Sequence, residues 1–273
     1  MSRIQARFDR LRAQGRKALI PFITAGDPEP GLTVPLLHEM VAAGADILEL
    51  GVPFSDPMAD GPVIQRASER ALRHRTSLRQ VLDMVAEFRR RDGETPIVLM
   101  GYLNPIERLG YGEFVSRAKA AGVDGVLTVD LPVEEARDAL LPSLYEAGID
   151  PIFLLAPTSP PRRIEQADAA GRGYLYYVSL KGVTGAGHLD LEDVARKVAA
   201  IKALAKLPVG VGFGVKDAAT AARMARLADA VVVGSALVAK VEENLEAPAR
   251  IGPEITALLV AMRRAMDAEV APA

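Results

Sequence analysis

One repetition constrains the fold of this chain more than any other feature. Eight short apolar runs rich in β-branched residues, at 18–24, 46–51, 96–102, 125–130, 151–155, 174–180, 209–213 and 230–234, are each followed by a longer amphipathic stretch. Helical spacing of apolar residues is clearest at 32–43, 111–121, 133–147, 191–205 and 217–227. The gap between the second and third runs is longer and holds two helical patterns in succession, 63–75 and 77–91. Strands that lose the polar alternation of exposed sheets are those covered on both faces, as in parallel sheets whose crossovers are helices. Eight such units predict one TIM (β/α)8 barrel domain over 1–273, and 273 residues suit the ~250 that such a barrel needs. An extra N-terminal helix should carry Ile4, Phe8 and Leu11 on one face, and an added helix over 252–266 should pack outside the barrel. Ala-Gly pairs at 43–44, 121–122, 147–148 and 170–171 recur just before strands, where glycine suits a left-handed helix C-terminus.

Charge and composition narrow the function. Thirty-three basic and 35 acidic residues are spread along the chain for a formal charge of −2, so no strong field recruits nucleic acid or anionic lipid. A small-molecule ligand is expected. Cysteine is absent, which excludes disulfides, thiolate nucleophiles and Cys-ligated zinc and fits a reducing compartment. The charged N-terminal stretch has no uninterrupted apolar segment of the secretory kind, so a cytoplasmic protein is expected. His38, His74 and His188 lack metal-ligand spacing and read as surface or capping residues; no metal or bound cofactor is expected. Arg89, Arg90 and Arg91 end a helix, where cations complement the dipole, and read as a solvated face.

In a barrel of this type the chemistry sits at the carboxyl ends of the strands and in the loops that follow. Alternation in the second strand puts Ile47, Glu49 and Gly51 on one face and Leu48 and Leu50 on the other. The leucines suit the helix layer, so Glu49 points inward. A carboxylate in an apolar strand is costly unless paired or neutralised, and its pKa should rise toward neutrality. Glu49 is therefore a candidate acid/base group, set against the plainer reading of a structural glutamate bonded to a neighbouring strand's tyrosine or backbone. The loop at 52–62 offers two more carboxylates, Asp56 and Asp60, and chemistry alone does not choose between them. Glycine-rich pieces follow the last three strands, at 182–187, 212–214 and 234–235, the last just before a helix. Together they suggest a phosphate monoester held by backbone N–H groups and a helix N-terminus.

The stretches LELGVPFSDPMADGPVIQ at 48–65, PFITAGDP at 21–28, GYLYYVSLKGVTGA at 173–186, GFGV at 212–215 and VVGSALV at 232–238 resemble the tryptophan synthase alpha subunit. The resemblance runs in family order over most of the chain. It implies a lyase that cleaves indole-3-glycerol phosphate to indole and glyceraldehyde 3-phosphate by a retro-aldol route. The family's acid/base glutamate falls on Glu49 and its catalytic aspartate on Asp60, and its active-site tyrosine falls on Tyr176, which could position Glu49 or substrate. Tyr177 then faces outward. The indole pocket maps to Phe22, Met100, Leu127, Val129, Leu154, Phe213 and Val232, although Val232 reads equally well as barrel core. Phosphate contacts map to Gly185, Gly214, Gly234 and Ser235, and Thr184 lies in a loop that closes over substrate in the family. The segment with Pro53, Asp56, Pro57 and Met58 resembles the surface that meets a pyridoxal-phosphate beta subunit, which implies an alpha2beta2 heterotetramer. Two other readings remain beside this one: a barrel retained mainly as an allosteric activator, or an enzyme acting alone, whether an indole-releasing lyase or a different phosphate-ligand isomerase. The chain departs from some members in having Leu180-Lys181 where they carry an arginine. Lys181 is read as a solvated lysine rather than a Schiff-base nucleophile.

Overall fold

The computed structural model describes residues 2–178 and 191–270, so Lys181, Thr184, Gly185 and His188 lie outside the described residues. Strands and helices alternate as the repetition requires. Helix α1 (Arg3–Ala13) precedes β1 (Ala18–Thr24), α2 (Pro30–Ala42) and β2 (Leu48–Gly51). Two helices, α3 (Pro62–Arg73) and α4 (Leu78–Arg89), fill the long gap before β3 (Ile97–Gly101). The middle of the chain comprises α5 (Leu103–Leu109), α6 (Tyr111–Ala121), β4 (Gly125–Thr128), α7 (Val133–Ala139), α8 (Leu141–Ala147), β5 (Asp150–Leu155) and α9 (Pro161–Ala170). It ends with β6 (Leu175–Tyr177), α10 (Leu191–Leu204), β7 (Val209–Val211), α11 (Ala218–Leu227), β8 (Ala230–Val233), α12 (Ser235–Glu243) and α13 (Ile251–Val270). The strands pair in sequence order, and β8 pairs back on β1 to close a parallel barrel.

Two apolar layers follow from strand parity. Ile20, Ile47, Val98, Ile152, Tyr174 and Val232 meet inside the barrel, while Leu48, Leu50, Leu99 and Tyr177 join the layer between strands and helices. Helix α1 closes the floor: Ile4, Phe8 and Leu11 are all buried in the inner layer. Ser2 caps that helix and donates to Asp150 Oδ2 at 2.5 Å.

A carboxylate at the foot of several strands organises the floor. Asp46, Asp124 and Asp229 stand just before β2, β4 and β8, and accept from the backbone N–H of Leu19, Ile97 and Val209 at 2.9, 2.8 and 3.0 Å. Each is also met by a cation, Arg263 at 3.1 Å, Arg89 at 2.6 Å and Lys202 at 2.8 Å respectively. Arg89 therefore is not part of a solvated face: it donates to the carbonyls of Gly122 and Thr95 as well as to Asp124.

Other expectations shift for local reasons. Gly44, Gly122 and Gly148 have the left-handed φ expected of helix ends, +103°, +86° and +74°, but Gly171 is extended at φ −76°. The pattern at 133–147 divides at Leu140, because Pro142 in the first turn of α8 supplies no amide donor for a continuing helix. Helices α5 and α9 are additional to the expected patterns, and α13 continues past 266 to Val270. His74 caps α3, whereas His38 is not a surface residue: its ring stacks on Phe88 at 4.6 Å, its Nε2 is buried without a partner, and burial holds its pKa below the ordinary value. Among the described residues no helix is long and apolar enough to cross a membrane, and no group of three or more metal-ligating side chains is present.

Candidate active site

Glu49 stands on the inward face of β2, with Phe22 beside it in β1 and Val98 in β3. It is fully buried. Oε1 accepts a short hydrogen bond from the Tyr174 hydroxyl, and Oε2 has no partner. Burial pushes the carboxyl from its ordinary 4.5 up to about 8, and the tyrosine, which favours the ionised form, opposes this only in part. Near neutral pH such a group holds a proton that it can surrender to a modest base. The hydroxyl that holds Glu49 is thus Tyr174, not Tyr176, two residues further along the same inward face of β6. Tyr176 instead lays its hydroxyl over Gly212, where a Cβ would come within 2.1 Å of it. Tyr177 faces the helix layer as parity requires.

The loop after β2 brings Asp60 back over the mouth and leaves Asp56 outside. Asp60 is half-buried and accepts from the Tyr102 hydroxyl at 3.0 Å, and that hydroxyl accepts from Ala59 N at 2.9 Å. Gln65, in the first turns of α3, donates to the Asp60 carbonyl at 2.9 Å. Burial raises the Asp60 pKa and the Tyr102 hydrogen bond holds it down. Asp60 lines a small pocket with Phe22, Ile64, Met100 and Val129, above Gly51 and so above Glu49 in the same strand. The described residues enclose a small space there, about 20 Å³. Asp56 is exposed and paired with its neighbour Ser55 at 2.5 Å. Beside it Met58 is 88% exposed, Pro57 half-buried and Pro53 buried.

Of the other pocket residues, Leu127 and Val232 are buried in the inner layer and Leu154 packs at its edge. Phe213 is half-buried, continues the outward parity of Val209 and Val211 and packs edge-on against Tyr177 with ring centroids 5.5 Å apart. Gly214, at φ +67°, and Ser235, the first residue of α12, are both exposed on the loops after β7 and β8, with Gly234 half-buried between β8 and α12.

A sequence model described as Tryptophan synthase alpha chain matches residues 8–267. The Tryptophan synthase alpha chain of Methylococcus capsulatus is 65% identical over 268 residues, covering 98% of this chain and 100% of the relative. The crystal structure of tryptophan synthase subunit alpha from Legionella pneumophila str. Paris superposes with TM-score 0.93 at 47% identity, covering 98% and 99% of the two chains. A chain of M. tuberculosis tryptophan synthase, in an open form with BRD0059 bound, gives TM-score 0.86 at 37% identity over 97% and 99%. The chain belongs to the tryptophan synthase alpha chain family. It is accordingly the lyase subunit of tryptophan biosynthesis that acts on indole-3-glycerol phosphate, and neither the activator reading nor the lone-enzyme reading is favoured. Membership in this family implies a beta-subunit partner.

Two residues that hold the carboxyl groups were not anticipated. Tyr174 shares strand parity with Tyr176, so alternation alone marks it as inward. Tyr102 lies one residue past β3, where parity no longer applies, and no local pattern marks it.

Proposed function

We propose that Glu49 carries the protons and Asp60 steadies the indole nitrogen in the retro-aldol cleavage of indole-3-glycerol phosphate. The observation that carries this reading is Glu49 itself, a fully buried carboxyl with one oxygen free of any partner and a pKa of about 8. Transfer of its proton to the indole ring carbon that bears the side chain leaves positive charge on the ring nitrogen. An ionised Asp60 accepting from the ring N–H stabilises that charge most where it is greatest, in the transition state. The Glu49 carboxylate so formed then takes the proton of the glycerol hydroxyl. That oxygen becomes the aldehyde carbonyl, the carbon–carbon bond breaks, and its electrons return to the ring as indole. Glu49 ends as it began, protonated.

Phe22, Met100, Val129 and Leu154 would hold the ring. The backbone at Gly214, Gly234 and Ser235, with Gly185, would hold the phosphate, and Thr184 would complete the closed site. On this reading Leu127 and Val232 support the pocket from below. The segment with Pro53, Asp56, Pro57 and Met58 would meet a pyridoxal-phosphate beta subunit in a cytoplasmic alpha2beta2 assembly. Exposure of Met58 supports that surface.

The test is indole release from indole-3-glycerol phosphate by wild type and Glu49→Gln, each with and without a beta subunit. Loss of general acid/base catalysis should cost on the order of 10²–10⁴ in kcat. Equal inactivity of both proteins with the partner present would remove the assignment.

A further inference from the structure

A cavity opens at the floor, on the face opposite Glu49. It measures about 610 Å³ and lies among α1, the turn from α2 into β2 and the turn from α4 into β3. Small-molecule sites commonly run from roughly 300 to 1,000 Å³. Four arginines line it, Arg7, Arg10, Arg16 and Arg91, together with Asp46, Asp92 and Glu94.

These charges are unequally engaged. Arg16 is held by both oxygens of Asp267, at 3.0 and 3.1 Å. Asp46 is occupied by Leu19 N and Arg263. Asp92 accepts from the amides of Glu94 and Thr95 and from the Thr95 hydroxyl. Among the described residues the side chains of Arg10 and Arg91 have no hydrogen-bond or ion-pair partner, and Arg7 approaches Asp46 no closer than 3.7 Å. Arg7 Nε is buried with no acceptor at all. Burial and the neighbouring Arg10 hold the Arg7 guanidinium below its usual range, and Asp46, Asp92 and Glu94 offset this only in part. Three guanidinium groups thus face the cleft against two carboxylates that no outside cation holds, Asp92 and Glu94.

We propose that this floor cleft is a second ligand site, taking a small metabolite with two or more carboxylate or phosphate groups between Arg7, Arg10 and Arg91. Guanidinium forks pair with either oxyanion in the same bidentate way, so the shared chemistry is the polyanion. Asp92 and Glu94 on the wall leave an excess of one positive charge, and the open guanidinium forks suit a multidentate oxyanion better than a halide.

The test is calorimetric titration of the full chain with pyrophosphate and, separately, with citrate, at fixed ionic strength and with saturating glycerol 3-phosphate to occupy any site at the mouth. Arg10→Gln/Arg91→Gln removes two cleft cations. Arg12→Gln/Arg90→Gln removes the same charge from exposed positions outside the cleft. Wild type and the outside variant should bind one equivalent of at least one probe, and the cleft variant should bind it at least tenfold more weakly. The tighter probe tells carboxylate from phosphate recognition. Absence of binding by wild type, equal weakening in both double variants, or unchanged binding in the cleft variant would overturn the site. Arg91→Gln alone gives the same comparison should the cleft double variant unfold early in a thermal scan.

Discussion

Glu49 binds Tyr174 through one carboxyl oxygen and leaves the other bare, and this asymmetry sets its titration. In the unfolded chain the proton leaves near 4.5, whereas in the fold it stays until about 8. Between those values folding takes up a proton, so stability declines as pH rises, by up to ~1.4 kcal/mol per pH unit, and levels off above 8. Glu49→Gln does not titrate; its urea midpoint should overtake wild type progressively from about pH 5 to pH 8. The same value predicts that kcat/KM, which reports the free enzyme, falls tenfold per unit above pH 8. Tyr174 donates to the carboxylate and so lowers its pKa; Tyr174→Phe should move that fall to higher pH, a shift that simple loss of packing would not produce. The two loop aspartates should also part company. Asp60→Asn should lose about a hundredfold or more in kcat for indole release, while Asp56→Asn, exposed and paired only with Ser55, should stay within about twofold when the chain is assayed alone.

The segment from β2 into α3 works as one element. Gly51 is needed because the Phe22 ring lies where a side chain would go, with Cζ 2.6 Å from an added Cβ. Gly51→Ala must displace Phe22 from the pocket that Asp60 lines, so KM should rise, with a stability loss of about 1–3 kcal/mol from overpacking. Farther along, Arg89 ends α4 and binds Asp124, which itself holds the first amide of β3; the side chains are 10% and 4% exposed. Arg89→Met leaves Asp124 with Arg3, at 2.8 Å, as its one remaining cation and strips the donor from the carbonyls of Gly122 and Thr95, and chemical denaturation should register a loss of about 1–3 kcal/mol.

At the scale of the molecule, the barrel was legible because strand and helix periods are written locally: parity alone placed Glu49 inward and the leucines outward. The floor was harder to read. In Ala43–Asp46 and Ala121–Asp124 the glycine announces the helix end, but the aspartate two residues later serves a different strand, and only closure brings Asp124 to Ile97 and Arg89. The choice of Asp60 over Asp56 was likewise invisible to periodicity, since it depends on a loop returning to Tyr102. Family resemblance supplied it, and the burial of Asp60 gives it a physical basis.

Phe8 of α1 lies with its ring 5.9 Å from that of Tyr174, so a single column of side chains runs from the floor helix to the acid at the mouth. The acidity of Glu49 is thereby exposed to variation at a position remote from every group that recognises substrate. Evolution, or a protein engineer, has here a way to retune the working pH of the reaction through the N-terminal helix while leaving the specificity of the mouth untouched.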